Sequence, residues 1–318
     1  MSNHYENNFI VRIEGGLGAQ IVGLSVYFYL KSIGCNTLAD ISYFDTPLKH
    51  AKSIENHVTH WNWQIDNYGM TFDAFEWINL NKLSPFFEDV LSDHKEGIQI
   101  LNLKNALLNY KINNVEAFKN YNLFSSKDNY PKEIDTFFSG NPVYIKDGPN
   151  KSKLYHLAMK DQNIRSKFTS NSKKWSEILH GKDLEISNSI VVHLRRGDYL
   201  NIQKFNIISE EKIYNIIKKL PNVLKNVIIL SDASENMEFT KKLRHDFDKV
   251  YWFSNVDSFN THMMLRQAAF LICSNSQFSN TAAYLGECFS IIPQKHSSEK
   301  DHIFQYENNI TEFALLNN

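Results

Sequence analysis

From residue 190 onward the chain alternates short apolar runs with segments whose apolar residues recur at helical spacing. Ile190 to Val192 opens a strand predicted over 190–194. Ser209 then stands in an N-cap position with Glu210 and Glu211 in the first turn. Ile213, Ile216, Ile217 and Leu220 mark one helical face, which Pro221 ends. Val227 to Leu230 reads as a strand finishing at Ser231-Asp232, followed by a helix from about Ser234 to His245 and a strand from Val250 to Phe253. Ser258 is placed as the cap of a helix running to Ala269. Phe270 to Cys273 reads as a strand ending in Ser274-Asn275-Ser276-Gln277-Phe278-Ser279, Thr281 to Glu287 as a helix, and Phe289 to Ile292 as a last strand. Such alternation predicts a parallel sheet with right-handed crossovers. The polar strand ends Arg195-Arg196, Ser231-Asp232 and Ser274 to Ser279 then share one edge. Ligands bind at that edge of open α/β sheets, so a nucleotide-type site is expected in the C-terminal half.

The first half is patterned less clearly. Phe9 to Ile13 reads as a strand, Glu14-Gly15-Gly16-Leu17-Gly18-Ala19-Gln20 as a glycine-rich loop, and Ile21 to Leu30 as a buried helix stopping near Gly34. That geometry presents backbone N–H groups to an anion or a sugar, and it equally suits a tight strand-to-helix turn. It is neither a Walker loop nor a dinucleotide fingerprint. Leu38 to Tyr43 is a second predicted strand. Trp61, Trp63, Phe72, Phe75 and Trp77 read as core rather than as a ligand platform. Helices are expected over Pro85 to Leu91 and over Lys151 to Phe168, the latter with Leu154, Leu157, Ala158 and Ile164 inward. A strand is expected around Gly140. Gly181 to Ser189 is the expected linker, giving an N-terminal lobe over 1–180 and a C-terminal lobe over 181–318.

Two adjacent arginines at a strand end are costly to leave unpaired, because guanidinium cannot shed its proton. Its planar fork suits a phosphate. The expectation is that Arg195 and Arg196 hold a diphosphate; the alternative leaves Arg195 in solvent and pairs Arg196 with Asp198. With 34 basic and 35 acidic residues the chain has no basic surplus for nucleic acid, so any anion site is local. At 318 residues, two domains are the default. Cys35, Cys273 and Cys288 sit in apolar contexts without metal-ligand spacing, as free thiols in a reducing compartment do. The start of the chain shows no signal-peptide pattern, and no run of 18 apolar residues occurs. A cytoplasmic protein is expected, with peripheral membrane association left open.

His193-Leu194-Arg195-Arg196-Gly197-Asp198-Tyr199 resembles the His-x-Arg-Arg-Gly-Asp-Tyr motif of the α-1,2-fucosyltransferases, glycosyltransferase family 11. Glu14 to Gln20 is similar to their Gly-Gly-Leu-Gly-Asn-Gln loop, Ser274 to Ser279 to their Asn-Ser-Thr-Phe-Ser-Trp-Trp segment, and Ser231-Asp232 to their Ser-Asp-Asp. The four motifs occur in the family's order across most of the chain. The resemblance implies an α/β, two-lobed GT-B-like fold whose C-terminal lobe binds a GDP-sugar. It also implies metal-independent, inverting transfer of L-fucose from GDP-β-L-fucose to the 2-hydroxyl of a terminal galactose.

On that resemblance Arg195 and Arg196 grip the pyrophosphate, and His193, Ser274, Asn275, Ser276, Gln277 and Phe278 belong to the nucleotide-facing segments. Gly16 and Gly18 belong to the N-terminal loop, and Asp232 sits near guanine or ribose. Ala19, Gln277, Asn280 and Thr281 depart from the family pattern and bear on the sugar. A donor lacking one hydroxyl, such as GDP-colitose, and an inactive GDP-sugar-binding relative are the alternatives. No cofactor is expected. Glu14 is the first candidate for the base that takes the acceptor's proton, with His193 and Asp198 next; a donor phosphate oxygen would need no residue at all.

Overall fold

The computed structural model describes residues 8–45, 62–78, 98–100, 143–145, 149–170, 174–179, 182, 184–201, 207–220, 224–286 and 288–292. They form two compact units, one holding the described residues up to Thr169 and the other those from Ser170 on. Each is an α/β unit with its own sheet, as the two-lobed expectation requires. The division precedes the expected linker at Gly181 to Ser189. The helix α4 (Lys174–Leu179) and the turn at Ile186 already bury Leu179 and Ile186 in the second unit's core, and Ser189 is the first residue of a strand.

The first unit is built on β1 (Asn8–Arg12), α1 (Leu17–Ser32), β2 (Asn36–Asp40), β3 (Trp77–Ile78), β4 (Ile98–Ile100) and β5 (Val143–Ile145). The sheet order is β3-β2-β1-β5-β4, parallel throughout except where β4 runs against β5. The second strand lies earlier than expected, because a 3-10 turn takes over at Ser42–Asp45. α1 starts at Leu17, so Gly18, Ala19 and Gln20 are helix rather than loop. Trp63 stacks on Phe72 and Phe75, and Phe72 meets Trp77 edge-on, so these rings are packing partners of one another, as expected.

Lys151 to Phe168 is two helices, α2 (Pro149–Lys160) and α3 (Gln162–Ser166). The break is at Asp161, whose carboxylate accepts the amide of Asn163 and caps the second helix. Tyr155, Ala158, Met159 and Ile164 are buried. Leu157, expected inward, is exposed, since Tyr155, Ala158 and Met159 at i, i+3 and i+4 define the inner stripe. Trp61, the helix expected at Pro85 to Leu91 and Gly140 lie outside the described residues.

The second unit comprises β6 (Ser189–Leu194), α5 (Glu210–Ile217), β7 (Asn226–Ser231), α6 (Met237–Asp246), β8 (Lys249–Phe253), α7 (Ser258–Arg266), β9 (Phe270–Ile272), α8 (Gln277–Leu285) and β10 (Phe289–Ile291). All four strand pairings are parallel, in the order β10-β9-β6-β7-β8. Val191 joins the core under α4, α7 and α8, while Ile190, Val192 and Leu194 join the core under α5 and α6. Burial on both faces is why β6 is a continuous apolar run rather than an alternating one. Each fully buried Ile or Val there stabilises by about 1.5–3 kcal/mol.

Caps fix where these helices begin. Ser209 accepts the amide of Lys212, as expected. Asn236 rather than Ser234 starts α6, and Asp257 rather than Ser258 starts α7, each by accepting an amide of the first turn. α8 starts at Gln277, four residues before the expected Thr281, because Ser276 caps it.

Candidate active site

β6 continues to β7 and β8 on one side, whereas β9 and β10 are added on the other. The direction of winding therefore reverses between β6 and β9. At such a switch point the two crossovers leave on opposite faces and open a crevice beyond the strand ends. His193, Arg195 and Arg196 come to this edge from β6, Asp232 from β7, and Ser274 to Ser276 from β9. α8 begins immediately afterwards, with its first-turn amides and positive dipole end at the same edge.

His193 on β6 and Ser274 after β9 are joined by a buried hydrogen bond of 2.7 Å between Nδ1 and Oγ. Ser274 Oγ lies 3.3 Å from Ser279 Oγ, which ties the bond into the first turn of α8. Phe278 packs between two buried imidazoles, with ring centroids 5.2 Å from both His193 and His262. Burial lowers the pKa of His193 to about 3, the Arg195 charge acting in the same direction, with Arg196 adding less. His262 is also held well below the ordinary histidine value, by burial first and then by Arg266. Its Nε2 lies 3.1 Å from Thr281 Oγ1. Both rings are therefore neutral at physiological pH, and among the described residues at this edge the formal positive charges are those of Arg195 and Arg196.

The two arginines part company. Arg195, with its side chain 18% exposed, pairs through Nη1 with Asp232 Oδ2 at 2.9 Å and lies over the ring of Tyr199. Arg196 turns inward. Its Nε reaches Glu210 Oε1 at 3.2 Å, Nη2 donates to the Ile208 carbonyl at 2.7 Å, and Nη1 donates to the Arg195 carbonyl at 3.2 Å. The ion-pair partner of Arg196 is thus Glu210, where Asp198 was the expected alternative. Arg196 is buried in bonds that tie the loop to the start of α5, whereas the Arg195 side chain stays partly exposed. Asp198 opens a short 3-10 turn, and its side chain lies outside the description.

Asp232, expected near guanine or ribose, is turned onto this loop. Its Oδ1 accepts the amides of Arg196 at 2.7 Å and Gly197 at 3.1 Å. A methyl group on Gly197 would stand 2.8 Å from Asp232 Oδ2, so the carboxylate occupies the space that a side chain would take.

In the first unit Gly15 has φ +71°, a backbone state that favours glycine, and Gly16 is the N-cap of α1. The amide of Leu17 donates to Gln64 Oε1 at 3.1 Å. Gln20, fully buried, donates to the carbonyls of Gly15 and Asn62 and accepts the amide of Gln64. The chain's own side chains thus hold the loop, and Gly18 lies inside the helix. Glu14 lies 2.9 Å from Arg12 Nε and 4.0 Å from Lys151 Nζ. Gln64 and Lys151 were not singled out from the sequence, since each is brought in from a distant segment with no local pattern around it.

With this geometry in place, the chain matches the profile of glycosyl transferase family 11 over residues 23–312. It belongs to that family. The protein is therefore a glycosyltransferase of fucosyltransferase-like type. No curated protein matches the sequence. Among solved structures, POFUT1 in complex with GDP aligns at a TM-score of 0.42 and 12% identity, covering 90% of this chain and 98% of that one. The E. coli heptosyltransferase WaaC with ADP-2-deoxy-2-fluoro heptose aligns at 0.37 and 10% identity, covering 93% and 91%. Likeness at that level carries no argument about ligand or reaction.

The glycosyltransferase's departures from the family pattern fall unevenly. Gln277 is exposed at the first residue of α8. Asn280 and Thr281 are buried within the helix, and Thr281 Oγ1 lies 2.9 Å from the carbonyl oxygens of both Gln277 and Phe278. Asn280 and Thr281 thus belong to the packing of this glycosyltransferase's second unit.

Proposed function

We propose that the second unit binds a GDP-sugar at the β6/β9 crevice and that the enzyme transfers L-fucose, with inversion and without a metal, to the 2-hydroxyl of a terminal galactose. The observation that supports this best is the pairing of β6, which runs into Arg195, with β9, which leads into the capped start of α8, at the one switch point of the sheet. A departing GDP gathers charge on its β-phosphate oxygens while the sugar becomes oxocarbenium-like. A preorganised guanidinium and helix-end amides stabilise that charge more in the transition state than in the ground state. Neutral His193 and Ser274 fix the wall between them.

The acceptor's proton needs a destination. Glu14 is engaged by Arg12 at 2.9 Å and faces Lys151 at 4.0 Å. With inversion the acceptor attacks the face opposite the departing phosphate, so in the absence of a dedicated residue its proton passes to water and through water to an oxygen of the released GDP. GDP-colitose remains the second donor to test, because a sugar with one hydroxyl fewer needs one polar partner fewer.

Calorimetry with GDP comes first, followed by a screen of GDP-fucose and GDP-colitose against galactose-terminated acceptors. The screen is run in excess chelator and read by mass spectrometry. Fucose transfer supports the proposal, clear preference for colitose replaces the donor, and GDP binding without turnover identifies an inactive relative. Arg195→Ala is expected to lower kcat/KM by at least ~2 kcal/mol, the scale for losing one such donor. Near-normal turnover in that variant refutes the role of Arg195.

A further inference from the structure

We propose that Asp232 is a positioning residue for the transfer, a carboxylate fixed by the chain so that it aims Arg195 at the leaving diphosphate. This rests on the GDP-sugar reading of the crevice. Three observations carry it. Oδ1 is anchored by two consecutive backbone amides, those of Arg196 and Gly197, at 2.7 and 3.1 Å. Oδ2 is the atom that faces Arg195 Nη1, at 2.9 Å. Residue 197 is glycine where any Cβ would come within 2.8 Å of Oδ2, so the loop has room for the carboxylate only without a side chain there.

The two strand ends behind this contact are themselves stitched together. Leu194 and Ser231 are paired in register, and Ser231 Oγ donates to the Leu194 carbonyl at 3.0 Å while accepting the amide of Ala233 at 3.1 Å. The carboxylate is therefore fixed by backbone bonds, while the Arg195 fork is held through side-chain contacts, Asp232 and the Tyr199 ring among them. Arginine has a long side chain with many rotamers, and holding its fork in one direction before the substrate arrives removes an entropic cost from the reactive complex. An aspartate that read guanine or ribose would direct its oxygens at the nucleotide. Here they serve three donors of this chain, all on the Arg195-Arg196-Gly197 turn.

The test uses the full-length enzyme with Asp232→Asn, which keeps an oxygen for the two amides and removes the charge facing Arg195. GDP affinity by calorimetry is expected to stay within about threefold of wild type, with the preference for GDP over ADP unchanged, while kcat falls about tenfold or more. In an Arg195→Ala background, Asp232→Asn is expected to cause no further loss of kcat, because the group it positions is gone. Weakened GDP binding with relaxed preference over ADP would show that Asp232 touches the nucleotide and would overturn the proposal. Additive losses in the double variant, or an Asp232→Asn protein unfolded at the assay temperature, would make Asp232 a structural strut and overturn it equally. Failure of the wild type to bind GDP overturns the donor reading itself, and is thereby distinguished from failure of the role given to Asp232.

Discussion

Acidification should unfold the second unit through His193. In the folded protein this imidazole is buried and lies near Arg195, and its pKa falls from 6.5 to about 3, burial acting first. In the unfolded chain it titrates near 6.5. The unfolded state thus takes up a proton that the folded state refuses over the interval between the two values. The stability associated with the neutral ring is fully present above pH 6.5 and is lost as the pH falls from there toward 3. At pH 5 the unfolded chain gains RT ln(1 + 10 to the power 1.5), or about 2 kcal/mol, which is a large share of an ordinary folding free energy.

The perturbation is His193→Gln, which cannot titrate but retains a side chain able to bond Ser274. Urea unfolding at pH 7.5 and pH 5, followed by tryptophan fluorescence, gives the pH-induced loss for each protein. Subtracting the two losses removes the titrating groups that do not feel His193, leaving its contribution with the smaller couplings to His262 and Asp232. Wild type is expected to lose about 2 kcal/mol more than the variant over that interval. Equal losses would mean that His193 protonates as readily folded as unfolded, and the buried, neutral wall of the crevice would have to be abandoned.

Two other substitutions separate packing from chemistry. Gly286→Ala places a methyl 2.6 Å from the Arg266 carbonyl oxygen and 3.0 Å from that of Ala282, both backbone atoms. Thermal unfolding should register a loss of about 1–3 kcal/mol with unchanged GDP affinity, and an unaltered melting temperature would contradict the close approach of α7 to the end of α8. Arg196→Ala removes the partner of Glu210 and of two carbonyls, and should cost about 1–3 kcal/mol of stability. Its kcat per folded molecule should fall less than that of Arg195→Ala; a larger fall would return Arg196 to the leaving group.

The legible part of the fold was the part in which one short-range rule decides. The apolar run at 190–192, the cap at Ser209 and the face at Ile213, Ile216 and Ile217 follow from burial and from one backbone bond. The start of α8 was harder, because Ser274, Asn275 and Ser276 are all able caps and it is the Ser276 side chain that accepts the first-turn amide of Phe278. The gathering of polar strand ends was visible in outline, since a parallel sheet places them together whatever their partners. Partner choice was not visible. Glu210 takes Arg196 and Asp232 takes Arg195 because of how the loop after β6 turns, and the sequence offered Asp198 as a nearer acid. Leu157 fails for a related reason: an apolar residue adjacent to a helical stripe is not thereby part of it.

The pairing of β6 with β9 has a consequence for how the second unit assembles. It joins Ile190 to Phe270 and closes the longest stretch of chain of any contact in that sheet, with β7, β8 and three helices lying between. Bringing such distant segments together costs more loop entropy than zipping β7 onto β6, by about 0.7 kcal/mol for roughly twice the length. The place where donor is proposed to bind therefore lies on the most distant pairing of the sheet, and a nucleotide held there would act as a clasp between the two segments.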